Sequence, residues 1–218
     1  MNLTNHFWYF QSAVPTRICD DILRYGNQLA DQMALTGGYD NYNKSAPCSS
    51  KRKQLSGQEI KDLKKKRDSN IVWMTDCWIY KEIHPYVHQA NRSAGWNFQW
   101  EYSEAIQFTK YNKGQYYDWH CDGWDKPYQR QGDPTHGKIR KLSVTLTLSD
   151  PKDYKGGELE FDFRNQDPDK KPNIRKCTEI LPKGSLVVFP GFVWHRVCPI
   201  KKGTRHSLVM WSLGWPFK

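Results

Sequence analysis

The sequence predicts an α+β chain that is mainly β: a double-stranded β-helix (jelly roll) core with N-terminal helices packed on one of its sheets. Three observations lead there. Beyond residue 104, short runs alternate apolar and polar residues, as in Ala105-Ile106-Gln107-Phe108-Thr109-Lys110-Tyr111 and Leu142-Ser143-Val144-Thr145-Leu146-Thr147-Leu148. Before it, two stretches place apolar residues at helical spacing. The strand lengths and turn spacing suit two stacked sheets. A chain of 218 residues is expected to form one domain, 1–218, with a helical support region at 1–104 and the jelly-roll core at 105–215.

Taken in order, Phe7-Trp8-Tyr9-Phe10 is a short buried strand. Pro15-Thr16 opens a helix with Ile18, Ile22, Tyr25, Leu29 and Met33 on its apolar face, and Asp20 and Asp21 in its first turn suit the helix dipole. The stretch Thr36 to Ser50 is rich in Gly, Asn and Ser. It leads into 51–67, where Lys51, Arg52, Lys53, Lys61, Lys64, Lys65, Lys66 and Arg67 face only Glu59 and Asp62. Together they read as a mobile basic insertion at 36–67, either a solvated flap or a surface for an acidic protein or RNA. Ile71-Val72-Trp73-Met74 is a second strand, and Cys77 to Ala94 a second helix. Its His84 and His88 stand four apart, but Pro85 separates them and no carboxylate completes a metal site, so they read as a helix face.

On the strand 105–111, Gln107, Thr109 and Tyr111 share one face. On 142–148 the Ser/Thr face is expected to look into a polar cavity while the Leu/Val face packs under the helices. The sixteen-residue loop Gly123 to Lys138 carries Trp124, Tyr128, Arg130 and His136. Its length marks it as a lid over a substrate, with Trp124 and Tyr128 as contacts, or else as an exposed loop. Arg164 to Lys176, rich in Pro, Asp and Lys, reads as a solvated connection.

The chemistry concentrates in Tyr116-Tyr117-Asp118-Trp119-His120-Cys121-Asp122-Gly123. On an extended chain alternate side chains share a face, so His120 and Asp122 converge and Cys121 points away. Downstream, Gly184 to His195 reads as a Gly turn, a buried strand, a Pro-Gly turn and a strand carrying His195. After a turn at 199–204, a further strand puts Arg205, Ser207, Val209 and Trp211 on one face. Were these two strands a hairpin, Arg205 would lie roughly 10 Å from the level of His195, the length of a five-carbon dicarboxylate. Two imidazoles and one carboxylate hold Fe(II) while leaving one face open for a bidentate 2-oxo acid and dioxygen. Arg205 supplies a permanently charged fork for a distant carboxylate, and Ser207 a hydroxyl.

Five blocks then stand in order: Tyr111-Asn112-Lys113-Gly114-Gln115-Tyr116-Tyr117 before His120-Cys121-Asp122; Gly156-Gly157-Glu158-Leu159-Glu160-Phe161; Pro182-Lys183-Gly184 with Val188-Phe189-Pro190; His195; and Arg205-x-Ser207 with Trp211. In these residues the chain resembles the Fe(II)/2-oxoglutarate-dependent dioxygenases, most closely the prolyl 4-hydroxylase-like branch. The resemblance implies that His120, Asp122 and His195 bind iron, that Arg205 and Ser207 hold the distal carboxylate of 2-oxoglutarate, and that Tyr111 lines the cofactor pocket. Many relatives carry a Tyr where this chain has Thr147, so that cofactor contact is either missing or made by a shorter hydroxyl. The implied activity is hydroxylation of a C–H bond, foremost of a prolyl residue in a protein or peptide. Dioxygen is the implied co-substrate, succinate and CO2 are the products, and ascorbate supports turnover. Trp124, Tyr128 and Trp211 are the substrate contacts expected.

Other readings differ in particular residues. Asp122 fills the coordination place that a halogenating relative leaves to chloride. Nucleic-acid dealkylases of the superfamily resemble a pattern with a second Arg six residues after the first, where this chain has Trp211; a small-molecule oxygenase stays open. A jelly-roll binding module would need none of the triad, and a zinc hydrolase would have no use for Arg205.

Composition sets the remaining bounds. With 38% hydrophobic and 14% aromatic residues the chain is globular, and its net charge of +10 gathers largely in 51–67. No apolar run is long enough to cross a membrane, and Met1 to His6 lacks the features of a signal peptide. The six cysteines, without CxxC spacing, read as free thiols in a reducing compartment. A soluble cytoplasmic protein is expected.

Overall fold

The computed structural model describes residues 3–34, 56–123, 126–164, 167 and 169–218. Residues 36–55 of the basic insertion, and Trp124, lie outside that set. In chain order the elements are β1 (Trp8–Phe10), α1 (Thr16–Gln28), β2 (Gln32–Met33), α2 (Gly57–Lys66), β3 (Arg67–Asp68), β4 (Asn70–Met74), α3 (Cys77–Ser93), β5 (Tyr102–Ser103) and β6 (Ile106–Tyr111). They continue as β7 (Tyr116–His120), β8 (Ile139–Thr147), β9 (Tyr154–Gly156), β10 (Leu159–Asp162), β11 (Ile174–Lys176), β12 (Leu186–Pro190), β13 (Trp194–Val197), β14 (Ile200–Gly203) and β15 (Arg205–Gly214).

Two antiparallel sheets form the jelly roll. The larger runs β1-β12-β8-β15-β6-β4-β2, with β5 beside the end of β15, and the smaller runs β11-β10-β13-β7-β3. Alternation decides what each face of the larger sheet does. Ile106 and Phe108 of β6, Leu142, Val144 and Leu146 of β8, and Leu208 and Met210 of β15 pack in one cluster with Ile18 and Ile22 of α1 and Ile79, Ile83 and Val87 of α3. Each such side chain, fully buried, contributes about 1.5–3 kcal/mol. Close approach of α1 needs Gly26, because a Cβ there would sit 2.8 Å from the Phe108 ring. The opposite face presents Gln107, Thr109, Ser143, Thr145, Thr147, Arg205 and Ser207, all buried between the sheets. Beside them Phe161, Phe189, Val187, Leu159 and Val197 form a second apolar cluster that closes one side of the sandwich.

The tertiary structure alters several local expectations. Helix α1 stops at Gln28 rather than reaching Met33, because Gln32 and Met33 pair with Ile71 and Asn70 at the sheet edge. Its first turn holds no acidic residue; Asp20 and Asp21 fall beyond it, where Asp21 meets Arg17 and Arg24. The described part of the basic insertion, residues 56–67, forms helix α2, closed at its start by a reciprocal capping box between Ser56 and Glu59, and runs on into β3. Lys64, Lys65 and Lys66 in its last turn suit the negative end of the dipole. Within the supposed solvated connection, Ile174–Lys176 pairs with β10. Strands β13 and β15 are not a hairpin: they belong to opposite sheets, and β14 between them pairs with β9. Among the described residues no helix is long and apolar enough to cross a membrane, and no disulfide joins the described cysteines. His84 meets the Ser103 hydroxyl at 3.0 Å and His88 stacks on Trp100.

One half-buried histidine is expected to contribute to acid sensitivity of the fold. His206 faces the helices, its ring 5.6 Å from Phe108. Burial, and then the charges of Lys110 and Arg205, lower its pKa to about 4. Between the usual 6.5 and about 4 the unfolded chain takes up a proton that the folded ring refuses, so this group's contribution is present above that window and lost as pH falls through it. The urea midpoint of His206→Gln, followed from pH 7 to pH 4, is expected to fall less steeply than that of the unaltered protein; parallel slopes would remove His206 from the explanation.

Candidate active site

Strand pairing brings the two histidines together. His120 of β7 lies directly opposite His195 of β13, and directly opposed residues in an antiparallel ladder share a face. An irregularity follows in the same pair, where Val197 meets Tyr117. The extra residue on β7 turns Tyr117 to the face of His120, so their rings stack with centroids 3.5 Å apart. Asp122 arrives by a crossing of loops. The amides of Asp122 and Gly123 both donate to the Gly191 carbonyl, at 2.8 and 2.7 Å, and the Gly191 amide donates to Lys141. Only glycine fits this crossing: a Cβ at Gly123 or Gly191 would stand 2.6 or 2.8 Å from the Arg140 carbonyl. Cys121 turns its thiol to the Gly123 carbonyl and takes no part in the triad.

The ligating atoms of His120, Asp122 and His195 all lie within 4.8 Å of one another. Each imidazole Nδ1 contacts a carbonyl of its own strand segment, Asp118 at 2.7 Å and Val193 at 3.0 Å. That assigns the ring proton to Nδ1 and leaves the Nε2 lone pair facing inward. The Nε2 atoms stand 3.7 and 3.6 Å from the Asp122 carboxylate oxygens, too far for hydrogen bonds. Lone pairs therefore face a carboxylate in a buried space, which is favourable when a cation stands among them. Burial, and then the neighbouring His195, lower the pKa of His120 well below its usual value and keep it neutral. Burial alone would raise that of Asp122; His195, His120, Arg140 and the Trp211 N–H outweigh it and bring it to about 2. Two imidazoles with inward lone pairs and an ionised carboxylate fit a divalent first-row metal such as Fe(II).

Two residues act on the carboxylate in a role the sequence did not suggest: Ser143, expected on the cavity face, and Trp211, expected as a substrate contact. Ser143 of β8 donates to Asp122 Oδ2 at 2.7 Å. Trp211, paired with Ser143 across β8 and β15, has a buried Nε1 with no hydrogen bond of ordinary geometry, although its N–H acts on Asp122. Arg140 stacks 3.8 Å above the Trp211 ring and is ion-paired with Glu104.

Across the sandwich, Arg205 is 3% exposed and has no carboxylate in ion-pair range among the described residues. Its Nη1 donates to Ser207 Oγ at 3.4 Å, and its guanidinium stands 5.9 Å from the Tyr111 ring. A buried cation so placed is an anion site. The Thr147 hydroxyl, expected to serve a cofactor, instead donates to the Ile180 carbonyl at 2.7 Å. In this structure its hydrogen is therefore taken by the chain's own carbonyl. Tyr128 lies in the long loop with Arg130 stacked on it at 4.3 Å; burial, with Glu104 adding to it, pushes its hydroxyl up to about 12. Trp211 is 5% exposed and Trp73, at 42%, lies 6.2 Å from it.

A family model described as the 2OG-Fe(II) oxygenase superfamily matches residues 106–213. A PKHD-type hydroxylase of Pseudomonas fluorescens is 35% identical over 102 residues, 47% of this chain and 40% of the relative. A PKHD-type hydroxylase of Xanthomonas axonopodis pv. citri is 33% identical over 105 residues, 48% of this chain and 42% of the relative. The chain thus spans less than half the length of these curated relatives. Among solved structures, the viral collagen prolyl hydroxylase of Paramecium Bursaria Chlorella virus-1, in its 2OG complex, superposes with a TM-score of 0.61 at 17% identity, covering 97% of both chains. A prolyl-4-hydroxylase of Pseudomonas putida gives 0.59 at 18% identity, over 96% of this chain and 92% of that one. At these identities the likeness is one of fold.

The Ser143 contact is open to test without turnover. Ser143→Ala is expected to weaken binding of Co(II), a coloured substitute for Fe(II), by about ten- to a hundredfold in an absorbance titration. Unchanged Co(II) affinity would leave Ser143 as packing alone.

Proposed function

We propose that this chain, which belongs to the 2OG-Fe(II) oxygenase superfamily, is an Fe(II)- and 2-oxoglutarate-dependent dioxygenase acting on a C–H bond of a prolyl residue in a protein or peptide. One observation carries the reading: the cluster of His120, Asp122 and His195 lies opposite the buried polar row of the larger sheet, which holds an arginine without a carboxylate partner among the described residues. His120, Asp122 and His195 would hold Fe(II). When bound, the ion supplies the redox chemistry that couples oxidation of 2-oxoglutarate by dioxygen to hydroxylation, with release of succinate and CO2, and ascorbate supports it by keeping the metal ferrous.

The chain's own residues do the rest. Asp122, ionised at any working pH, offsets one of the two charges of the metal, and the two Nδ1 contacts fix the direction of the imidazole lone pairs. Arg205 takes the distal carboxylate of 2-oxoglutarate, with Ser207 beside it and Tyr111 forming the wall. Thr109, Gln107 and Thr145 floor the cavity and the second apolar cluster keeps bulk water from one side of it. Trp211, with Tyr128 further out, offers apolar surface to the substrate.

The PKHD-type hydroxylase relatives support hydroxylation, and the prolyl substrate is supported by the fold shared with prolyl hydroxylases, one of which, from Trichoplax adhaerens, is known in complex with a hypoxia inducible factor peptide fragment. Residues 1–218 acting as one domain, in a cytoplasm whose reductants keep iron ferrous, complete the reading.

Succinate release from 2-oxoglutarate under Fe(II), ascorbate and air, with proline-rich peptides added, tests it. Asp122→Ala is expected to lower turnover by at least about a hundredfold. Arg205→Lys, which keeps the charge but loses the fork, is expected to raise KM for 2-oxoglutarate about tenfold with a smaller effect on kcat. Iron-dependent turnover that survives Asp122→Ala would sink the assignment, and turnover indifferent to every peptide would move the substrate away from protein.

A further inference from the structure

We propose that Arg67, beside Tyr117, is a second anion-binding residue and that the substrate presents a carboxylate to it. The proposal rests on the oxygenase reading and adds the charge of the substrate.

Arg67 begins β3 at the edge of the smaller sheet, directly opposite Tyr117 of β7. Opposed residues share a face, and Tyr117 already shares that of His120, so Arg67 points between the sheets. Its guanidinium carbon stands 4.5 Å from the centre of the Tyr117 ring. That ring in turn stacks on His120. Arg67 is 5% exposed, although it ends a run of basic residues whose other described members, Lys61, Lys64, Lys65 and Lys66, are exposed.

The hydrogen bonding of Arg67 is incomplete. Nε donates to Ser69 Oγ at 2.9 Å, while Nη2 is buried without an acceptor. Among the described residues no carboxylate pairs with it; Asp68 next to it meets Lys64 and Gln115 instead. A hydroxyl and an aromatic face do not balance a buried charge, and folded proteins ordinarily avoid leaving one unbalanced. Arg205 is in the same condition, and the distal carboxylate of 2-oxoglutarate accounts for it. Arg67 lies in the other sheet, on the far side of Tyr117 from His120, and has no such occupant. Its ring stack and the bond to Ser69 hold the guanidinium plane still with Nη2 unused, which suits a carboxylate. The exposed lysines of α2 add a positive approach to that edge. Two sources of carboxylate meet this chemistry: an acidic side chain neighbouring the target residue, and the free C-terminus of a peptide.

The experiment has two arms. In the first, the Fe(II)- and 2-oxoglutarate-loaded protein is given three proline peptides: one flanked by Glu with blocked ends, its Gln counterpart with blocked ends, and the Gln peptide ending in a free prolyl carboxylate. One or both carboxylate peptides are expected to exceed the Gln peptide about ten- to a hundredfold in kcat/KM, which also identifies the source. Arg67→Lys should retain part of that preference and Arg67→Gln should lose it. In the second arm the Zn(II)- and 2-oxoglutarate-loaded protein, which does not turn over, is titrated with N-acetylproline and with N-acetylprolinamide. The side-chain N–H resonance of Arg67, identified by its loss in Arg67→Lys, is expected to move with the acid and not with the amide. Equal use of all three peptides would overturn the proposal and leave the oxygenase standing. An Arg67 resonance that ignores both compounds would overturn it whatever the peptides do. Movement with the acid while no peptide is turned over would uphold the proposal and refute the prolyl substrate.

Discussion

The cavity depends on the antiparallel pairing of β7 with β13. That ladder sets His120 opposite His195, and its one irregularity places Tyr117 on the same face. The partners on either side follow: β10 pairs with β13 and brings Phe161 against His195, while β3 pairs with β7 and brings Arg67 over Tyr117. A slip of one residue would turn every one of these side chains to the opposite face. The metal position is thus a property of register before it is a property of ligands.

The third ligand is placed by different means. Asp122 lies beyond the end of β7, and its direction comes from the crossing over Gly191, which only residues without a Cβ permit, and from the Ser143 hydroxyl on the opposite sheet. The carboxylate therefore ties the two sheets together at the open end of the sandwich. Phe161, Phe189 and Val187 do so at the closed end through apolar packing. Between the two ends the facing strands are free to carry polar side chains, because neither sheet needs them for cohesion.

Charge in the cavity is unbalanced by design of the chain alone. Asp122 is low in pKa and surrounded by positive influence, whereas Arg205 and Arg67 have no carboxylate of their own among the described residues. Two buried guanidiniums and the His120–Asp122–His195 cluster are thus carried on strands of the two sheets. On the proposed reading, 2-oxoglutarate and the substrate supply the balancing anions.

By itself the sequence determined the mainly-β class and the helices behind one sheet, and it singled out His120, Asp122, His195 and Arg205, although Asp122 is directed by the crossing over Gly191 and not by alternation along a strand. It was equally sufficient for the polar row Ser143, Thr145 and Thr147, whose cavity face follows from that period. Tertiary structure alone decided which strands meet. The hairpin expected between His195 and Arg205 is replaced by strands in opposite sheets, because pairing over long separations is set by how two sheets bury their faces together and leaves no local trace in the chain. For the same reason Tyr117, on the wrong parity for a regular strand, joins His120 only through a bulge, and Thr147 spends its hydrogen on a distant carbonyl. Arg67 hid in a run of lysines whose composition reads as solvent-facing. Its burial comes from pairing with β7, a partner fifty residues away that no local pattern announces.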